Sequence, residues 1–389
     1  MSSPKFSILL PTRDRPATFK YALATIAAQA GDDFEIVVAD NASGPAIKEA
    51  VDRIDSCPVI YTRSDEILTM VDNWERGLAM CNGEYVTVLG DDDGLMPSCL
   101  SIARRFIEQT SQKLLNWRCH SYWWPDTIVE FQRNKLYVSY TPDISGNIVS
   151  SRDVLKAFYK NQVGFGELPM IYNSFIHRDI LEETKLRWGR FLPLPHVPDV
   201  ASGILNLALT ESYAVCQRPL AIRANSGKSN GTSFYARSKG KDVRENHFAE
   251  ERAKLEEMLH PSLIPSPNLH VLLASVKLFC KELAFPEDPE LQCDLQLVVN
   301  SMIATLNQDV PSYEENLSEA RELATKYGLI ISEAEIPPKA EEKTPTIRSG
   351  IADNADGKTK VLTIDGDVAG IRDVNAACML AESIHPVAV

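Results

Sequence analysis

Residues 85–97 read YVTVLGDDDGLMP. A short, β-branched apolar run ends in three consecutive aspartates, Asp91, Asp92 and Asp93. Three adjacent like charges repel, so they need water or a cation beside them. The run EYVTVLG (84–90) has the length and composition of a buried strand. The fold therefore turns on whether this strand stands in a series.

It does. KFSILLP (5–11), FEIVVAD (34–40) and PVIYTR (58–63) are similar continuous apolar runs bounded by turn residues. Helical spacing fills the gaps between them. Pro16 sits at a first helical position, with Phe19, Leu23, Ile26 and Ala27 on one face. Further helices are expected over Ala46–Ile54 and Ile67–Met80, the latter closed by Asn82–Gly83. The alternation β-α-β-α-β-α-β predicts an α/β fold, a Rossmann-like, mostly parallel sheet with helices on both faces. Ligands bind such sheets beyond the carboxyl ends of the strands. Thr12, Arg13, Asp14, Asp40, Asn41, Arg63 and the three aspartates would all collect along that edge.

Downstream, a helix is expected over Pro97–Thr110, then strands at 113–118, 127–131 and 135–140, a mixed or antiparallel extension. Residues 151–160 read as helix, 170–176 as strand, 178–186 as a short helix, 197–209 as helix and 216–223 as a strand interrupted by Pro219. The Gly-, Ser-, Asn- and Lys-rich stretch 224–241 reads as a mobile loop, either a lid whose cations close over a diphosphate or a plain solvated loop. Residues 242–327 are mostly helical, 336–350 have linker composition, and the tail holds one strand (360–365) and one helix (375–384). The expected division is a catalytic-type domain over 1–240, a helical extension over 241–330 and a tail over 331–389.

The chain has 389 residues and a net charge of −13, which argues against a general nucleic-acid binder. Eight cysteines form no CxxC pair and no zinc-like spacing, so reduced, buried thiols are expected. No apolar stretch approaches the roughly 20 residues of a membrane span. The expectation is a cytoplasmic protein, with room for peripheral contact at the inner face of the membrane and for a homo-oligomer.

Calcium does not explain the aspartates. If Gly94 were the glycine of an EF-hand loop, Leu89 and Leu100 would fall on ligand positions. A solvated turn is the plain alternative. Mg²⁺ or Mn²⁺ accounts for more, because such ions take one or two carboxylates plus substrate phosphates.

FSILLPTRDRP, the more distal VVADNAS and GEYVTVLGDDDGLMP together resemble family-2 glycosyltransferases of the GT-A fold. The resemblance is close over about residues 5–100 and looser to about 225. It implies that Pro11 and Thr12 line a nucleotide pocket with Arg13 and Asn41. Asp40 would meet the base, helped by Arg63 or Asn73. Counting back from Pro97 puts Gly90 on the family's first Asp, Asp91 near the ribose, Asp92 on the metal and Asp93 beside them. Pairing Asp91 with Asp93 is the other register, and Gly90 departs from the common pattern. The family's base falls on Asp199, where helix capping is the plain alternative and His196 a second candidate. The family's Glu-Asp pair and the Gln-x-x-Arg-Trp motif of processive synthases are absent.

The resemblance thus implies an inverting, metal-dependent, single transfer from a nucleoside-diphosphate sugar, UDP-sugar first. The acceptor would be a hydroxyl of a glycan or lipid-linked molecule, in polysaccharide biosynthesis. The competing class is a non-catalytic sugar-nucleotide or carbohydrate binder with a degenerate site. A nucleotidyltransferase ranks below both, because PTRDRP contains no glycine-rich loop. Trp117, Tyr122, Trp123 and Trp124 are either core residues or a stacking surface for acceptor sugars.

Overall fold

The computed structural model describes residues 3–140, 146–194, 196–342, 347, 349–353 and 360–384. Strands β1 (Phe6–Thr12), β2 (Phe34–Asn41), β3 (Val59–Ser64) and β4 (Tyr85–Val88) are parallel, in the order β3-β2-β1-β4. The register sets Thr12 beside Asp40 and Asp40 beside Arg63, so the expected edge forms. β1 and β2 are buried along their whole length because helices cover both faces. Ile8, Leu10, Ile36 and Val38 pack on one side with Phe19, Leu23 and Ile26. Leu9, Val37 and Ala39 pack on the other with Val71, Trp74 and Leu78. Gly77 lets the Met70–Leu78 helix lie against β1, since a Cβ there would come within 2.4 Å of Leu9 Cδ1.

The remaining strands are β5 (Gly94–Leu95), β6 (Leu114–Trp123), β7 (Lys135–Tyr140), β8 (Gly146–Ser150), β9 (Ser174–His177), β10 (Ser212–Asn225), β11 (Gly350–Asp353) and β12 (Lys360–Asp365). β9 joins β4 to β6 in antiparallel pairing, and β7 pairs antiparallel with β6. β10 runs parallel to β6 and antiparallel to β5 and β8. The parallel strands with helices on both faces and the helical C-terminal region match the expectation, while the strands added beyond β4 make the sheet mixed.

Several local expectations change. Residues 127–131 form no strand: Glu130–Gln132 is a single 3₁₀ turn that reverses the chain between β6 and β7. The strand expected over 170–176 begins to pair only at Ser174. β10 passes through Pro219 because its register against β6 shifts between Cys216 and Ala221. The stretch 224–241 is not one loop. It continues β10 to Asn225 and holds a short helix, Asn230–Tyr235. Arg237 is buried there against Glu315, Asn316 and Glu319, which ties the segment to the Tyr313–Tyr327 helix.

The helices Leu269–Ala284, Leu295–Ala304 and Tyr313–Tyr327 share a core of Val271, Val299, Met302, Leu317 and Leu323. Val276 and Cys280 join the first of them to the main core, and Tyr159 donates to Lys277 O at 2.8 Å. All eight cysteines are free. No described helix is long and apolar enough to cross a membrane.

The tail returns to the sheet. β12 pairs antiparallel with β7, and β11 with β12, so the edge of β7 is covered. The Val374–Ile384 helix buries Val374, Ala377, Cys378 and Ala381 against Met96, Tyr122, Trp124 and Ile222. Ala377→Asp would bury an unpaired carboxylate and should lower stability by on the order of 3 kcal/mol. Urea unfolding measures this; an unchanged midpoint would mean that the tail does not belong to the folding unit.

Candidate functional site

The turns after β1 and β2 are locked together. Asp14 and Ala42 take left-handed backbone (φ 48° and 57°), which reverses the chain tightly. Asp14 N donates to Ser43 Oγ at 3.0 Å, and Gly44 N donates to Asp14 Oδ1 at 2.9 Å. Beyond β4, Leu89 N donates to Leu9 O at 2.8 Å, which delivers the aspartates beside Thr12.

Each aspartate has its own partners. Thr12 Oγ1 donates to Asp91 Oδ2 at 2.8 Å, and Arg15 Nη1 lies 3.2 Å from Asp91 Oδ1. Ser226 Oγ donates to Asp92 Oδ2 at 2.6 Å, and Ala224 N donates to Asp93 Oδ1 at 2.7 Å. Trp124 Nε1 donates to Asp92 O at 3.0 Å from the core beneath. Burial raises the Asp91 carboxyl; Arg15 opposes this and Asp92 adds to it. Burial, then Asp92, pushes Asp93 up to about 8.

Two oxygens, Asp92 Oδ1 and Asp93 Oδ2, accept no hydrogen bond from the described residues and converge beside Gly90. A Cβ on Gly90 would lie 2.6 Å from Asp93 Oδ2 and 3.5 Å from Asp92 Oδ1. The residue that departs from the family pattern therefore leaves a cradle next to two free carboxylate oxygens. That donor chemistry fits a hard divalent cation. Among the described residues no group of three His, Cys, Asp or Glu side chains is arranged to hold a metal alone. The remaining ligands would come from phosphate and water, as is usual for Mg²⁺.

The aspartates open into a cleft of about 1370 Å³ that is also lined by Pro11, Thr12, Arg13, Asn41, Asn73 and Asp199. Asn41 and Asn73 do scaffold work at its wall. Asn41 Nδ2 donates to Leu68 O, and Asn73 Nδ2 to Ala39 O, both at 2.9 Å. Asp40 and Arg63 stand outside the lining. Asp40 is fully buried, accepting from Tyr61 OH at 2.6 Å and Ser43 N at 2.9 Å. Arg63 Nη2 donates to Ser43 O at 3.0 Å, and its Nε is 3.9 Å from Asp40.

Asp199 lies at the second residue of the Pro198–Ala208 helix, whose N-cap is Val197, so it is not the cap itself. Val197 has φ 50°, a costly conformation for a β-branched residue, and it aims the helix N-terminus at the cleft. Ser202 Oγ donates to Asp199 O at 2.6 Å and accepts from Ile171 N at 3.0 Å. Burial raises the Asp199 carboxyl, with the amides of Val200 and Asp199 and the charge of Arg223 opposing. Tyr172 also lines the cleft, and burial, then the charges of the four aspartates, push its hydroxyl pKa up. His196 also lines the cleft; burial lowers its pKa, and its Nδ1 is buried without a partner.

Arg15 was not singled out by sequence, although it lies in the same PTRDRP turn as Arg13. Arg13 pairs with Glu250 at 2.7 Å, while Arg15 bridges Asp91 and Lys228 O, the latter at 2.6 Å. Of the cations in 223–241, Arg223 and Lys228 line the cleft. Arg15→Met should destabilise the metal-free protein by about 2 kcal/mol, because Asp91 loses the cation that pairs it. Asp91's folded pKa is raised, so the native state binds the extra proton. The penalty should therefore shrink as pH falls through that value, and urea midpoints at several pH values test this.

The parallel strands end in an acidic cradle that shares one cleft with a second carboxylate, Asp199. Residues 7–155 match the family model of Glycosyl transferase family 2. A GalNAc(5)-diNAcBac-PP-undecaprenol beta-1,3-glucosyltransferase of Campylobacter jejuni is 33% identical over 101 residues, 25% of this chain and 33% of that protein. The abequosyltransferase RfbV of Salmonella typhimurium is 29% identical over 107 residues, 26% of this chain and 32% of that protein. The chain thus spans about a third of the length of each relative. Among solved structures, S. aureus TarS 1-349 in complex with UDP-GlcNAc is 14% identical, with a TM-score of 0.46 over 84% of this chain and 93% of that one. Mannosyltransferase PcManGT from Pyrobaculum calidifontis in complex with GDP-Man and Mn²⁺ is 16% identical, with a TM-score of 0.42 over 84% and 86%.

Proposed function

We propose that the protein is an inverting, metal-dependent glycosyltransferase that moves a sugar from a nucleoside-diphosphate donor, UDP-sugar first, to a hydroxyl of a glycan or lipid-linked acceptor. The observation that carries this reading is the placement of Asp91–Asp93 and Asp199 in one cleft. Pro11, Thr12, Arg13, Asn41, Asn73 and Asp91 form the donor side. Asp92 and Asp93 would hold Mg²⁺ or Mn²⁺, which supplies positive charge against the leaving diphosphate. Arg15 and Lys228 close over the same end and bind the diphosphate. Asp199 takes the proton of the acceptor hydroxyl as its oxygen bonds to the anomeric carbon. The bond from that carbon to the diphosphate oxygen breaks on the opposite face, inverting the configuration. Asp40 supports the β2 turn, and contact with a base would cost it the Tyr61 or Ser43 bond. The undecaprenol in the name of the C. jejuni relative supports a lipid-linked acceptor.

A thermal-shift screen of UDP-, GDP-, CMP- and dTDP-sugars with and without Mn²⁺ tests the reading. One donor should stabilise the protein only with metal, by about 3 kcal/mol at 100-fold excess over its Kd, and should be turned over. Stabilisation without turnover to water or any acceptor would make the protein a sugar-nucleotide binder. No stabilisation by any donor would overturn the reading.

A further inference from the structure

One wall of the cleft is a sheet face that the proposed chemistry does not use. Pairing across β10, β6, β7 and β12 sets Arg223, Ser121, Tyr137 and Thr363 side by side. The adjacent row, Ala224, Tyr122, Leu136 and Ile364, points into the core beneath the Val374–Ile384 helix. Alternation along the strands therefore turns the first row outward. Asn225 and Trp123 pair on that same outward face. Arg223, Ser121, Trp123 and Asn225 line the cleft itself, so the face runs without a break from the reacting centre to the tail strand.

The composition of this face is specific. It combines two half-buried rings, Trp123 and Tyr137, with two hydroxyls, an amide and the exposed guanidinium of Arg223. The Tyr137 hydroxyl donates to Gln132, which fixes its ring. The other three aromatics of 117–124 are buried: Trp117 packs at a tilt against Phe175, and Tyr122 and Trp124 lie in the tail core. Sugar rings offer apolar C–H faces for stacking and hydroxyls for hydrogen bonds, and a polar, aromatic surface matches both. Four strands span roughly 14 Å, longer than one hexose.

We propose that the outward face of β6, β7 and β12 is the docking platform for the saccharide chain of the acceptor. The chain leaves the reacting hydroxyl beside Asp199, crosses Trp123 and Tyr137 and ends over β12. The C-terminal segment is then part of the acceptor site. This rests on the glycosyltransferase reading above.

The test uses the full chain with UDP and Mn²⁺ on an array of bacterial and plant oligosaccharides. Wild type should bind one class of oligosaccharide. Trp123→Ala and Tyr137→Ala should bind it at least tenfold more weakly, while Tyr137→Phe, which keeps the ring, should retain binding. Metal-dependent thermal stabilisation by the donor should be the same in wild type and Tyr137→Ala, which shows that the variant is folded. Wild type binding no oligosaccharide, or Tyr137→Ala binding as wild type does, overturns the platform. Loss of binding in Tyr137→Phe equal to that in Tyr137→Ala also overturns it. Donor turnover is read separately. Oligosaccharide binding lost in Tyr137→Ala without turnover of any donor supports the platform and overturns the transfer reaction instead.

Discussion

Asp92→Ala is expected to lower transfer by about 10³-fold or more while the fold survives, the scale of losing one preorganised electrostatic partner of a transition state. The structural cost is small. The side chain gives up its bonds from Ser226 Oγ and Ser226 N, each worth about 1 kcal/mol. Its removal also relieves the repulsion that helps to push Asp93 up to about 8. The functional cost is large, because one of the two free oxygens beside Gly90 disappears. Donor consumption at saturating Mn²⁺ and metal-dependent thermal shift measure the two effects. Activity within tenfold of wild type, with the same Mn²⁺ dependence, would move the metal to the Asp91–Asp93 pair. The pH dependence of donor binding has a definite sign. Asp93 must lose its proton to a cation, so binding weakens as pH falls through about 8 at low Mn²⁺. The limb should shift to lower pH as Mn²⁺ rises, because metal and proton compete.

Asp199→Asn should reduce kcat by roughly 10²- to 10⁴-fold, the range of a positioned general base. Donor binding should be unchanged, since no partner of the three aspartates is lost. The carboxyl of Asp199 is raised by burial and must be ionised to accept a proton. Wild-type kcat should therefore fall as pH drops through that raised value, and the limb should vanish in the variant. A kcat–pH profile at saturating Mn²⁺ reads this apart from the Asp93 effect. A variant as active as wild type would leave His196, whose Nδ1 has no partner, as the next candidate.

The parallel half of the fold was legible because its signals are local. Each of β1 to β4 is a continuous apolar run, and amphipathic spacing between the runs identifies the helices. The chain beyond β4 was less legible, because pairing partners there are far apart in sequence. The Thr127–Phe131 segment has strand-like residues but no partner strand, and it becomes a turn with Val129 buried. Pro219 looked like an interruption, yet the register shift in β10 absorbs it. The tail strand and helix were visible as isolated elements, but nothing local says that 360–365 lies beside 135–140.

The candidate site divides in the same way. Thr12, Asn41 and the three aspartates could be put on one edge from sequence, because consecutive parallel strands end together. How each is used depends on the packed fold. It buried Asp40 under Tyr61, sent Arg13 to Glu250 and brought Arg15 to Asp91. It also turned Gly90 from a departure into the space where two carboxylate oxygens meet, and set Asp199 in the same cleft. The physical reason is that strand periodicity is encoded over a few residues. A buried charge selects its partner from side chains that packing brings within about 3 Å, and those come from anywhere in the chain.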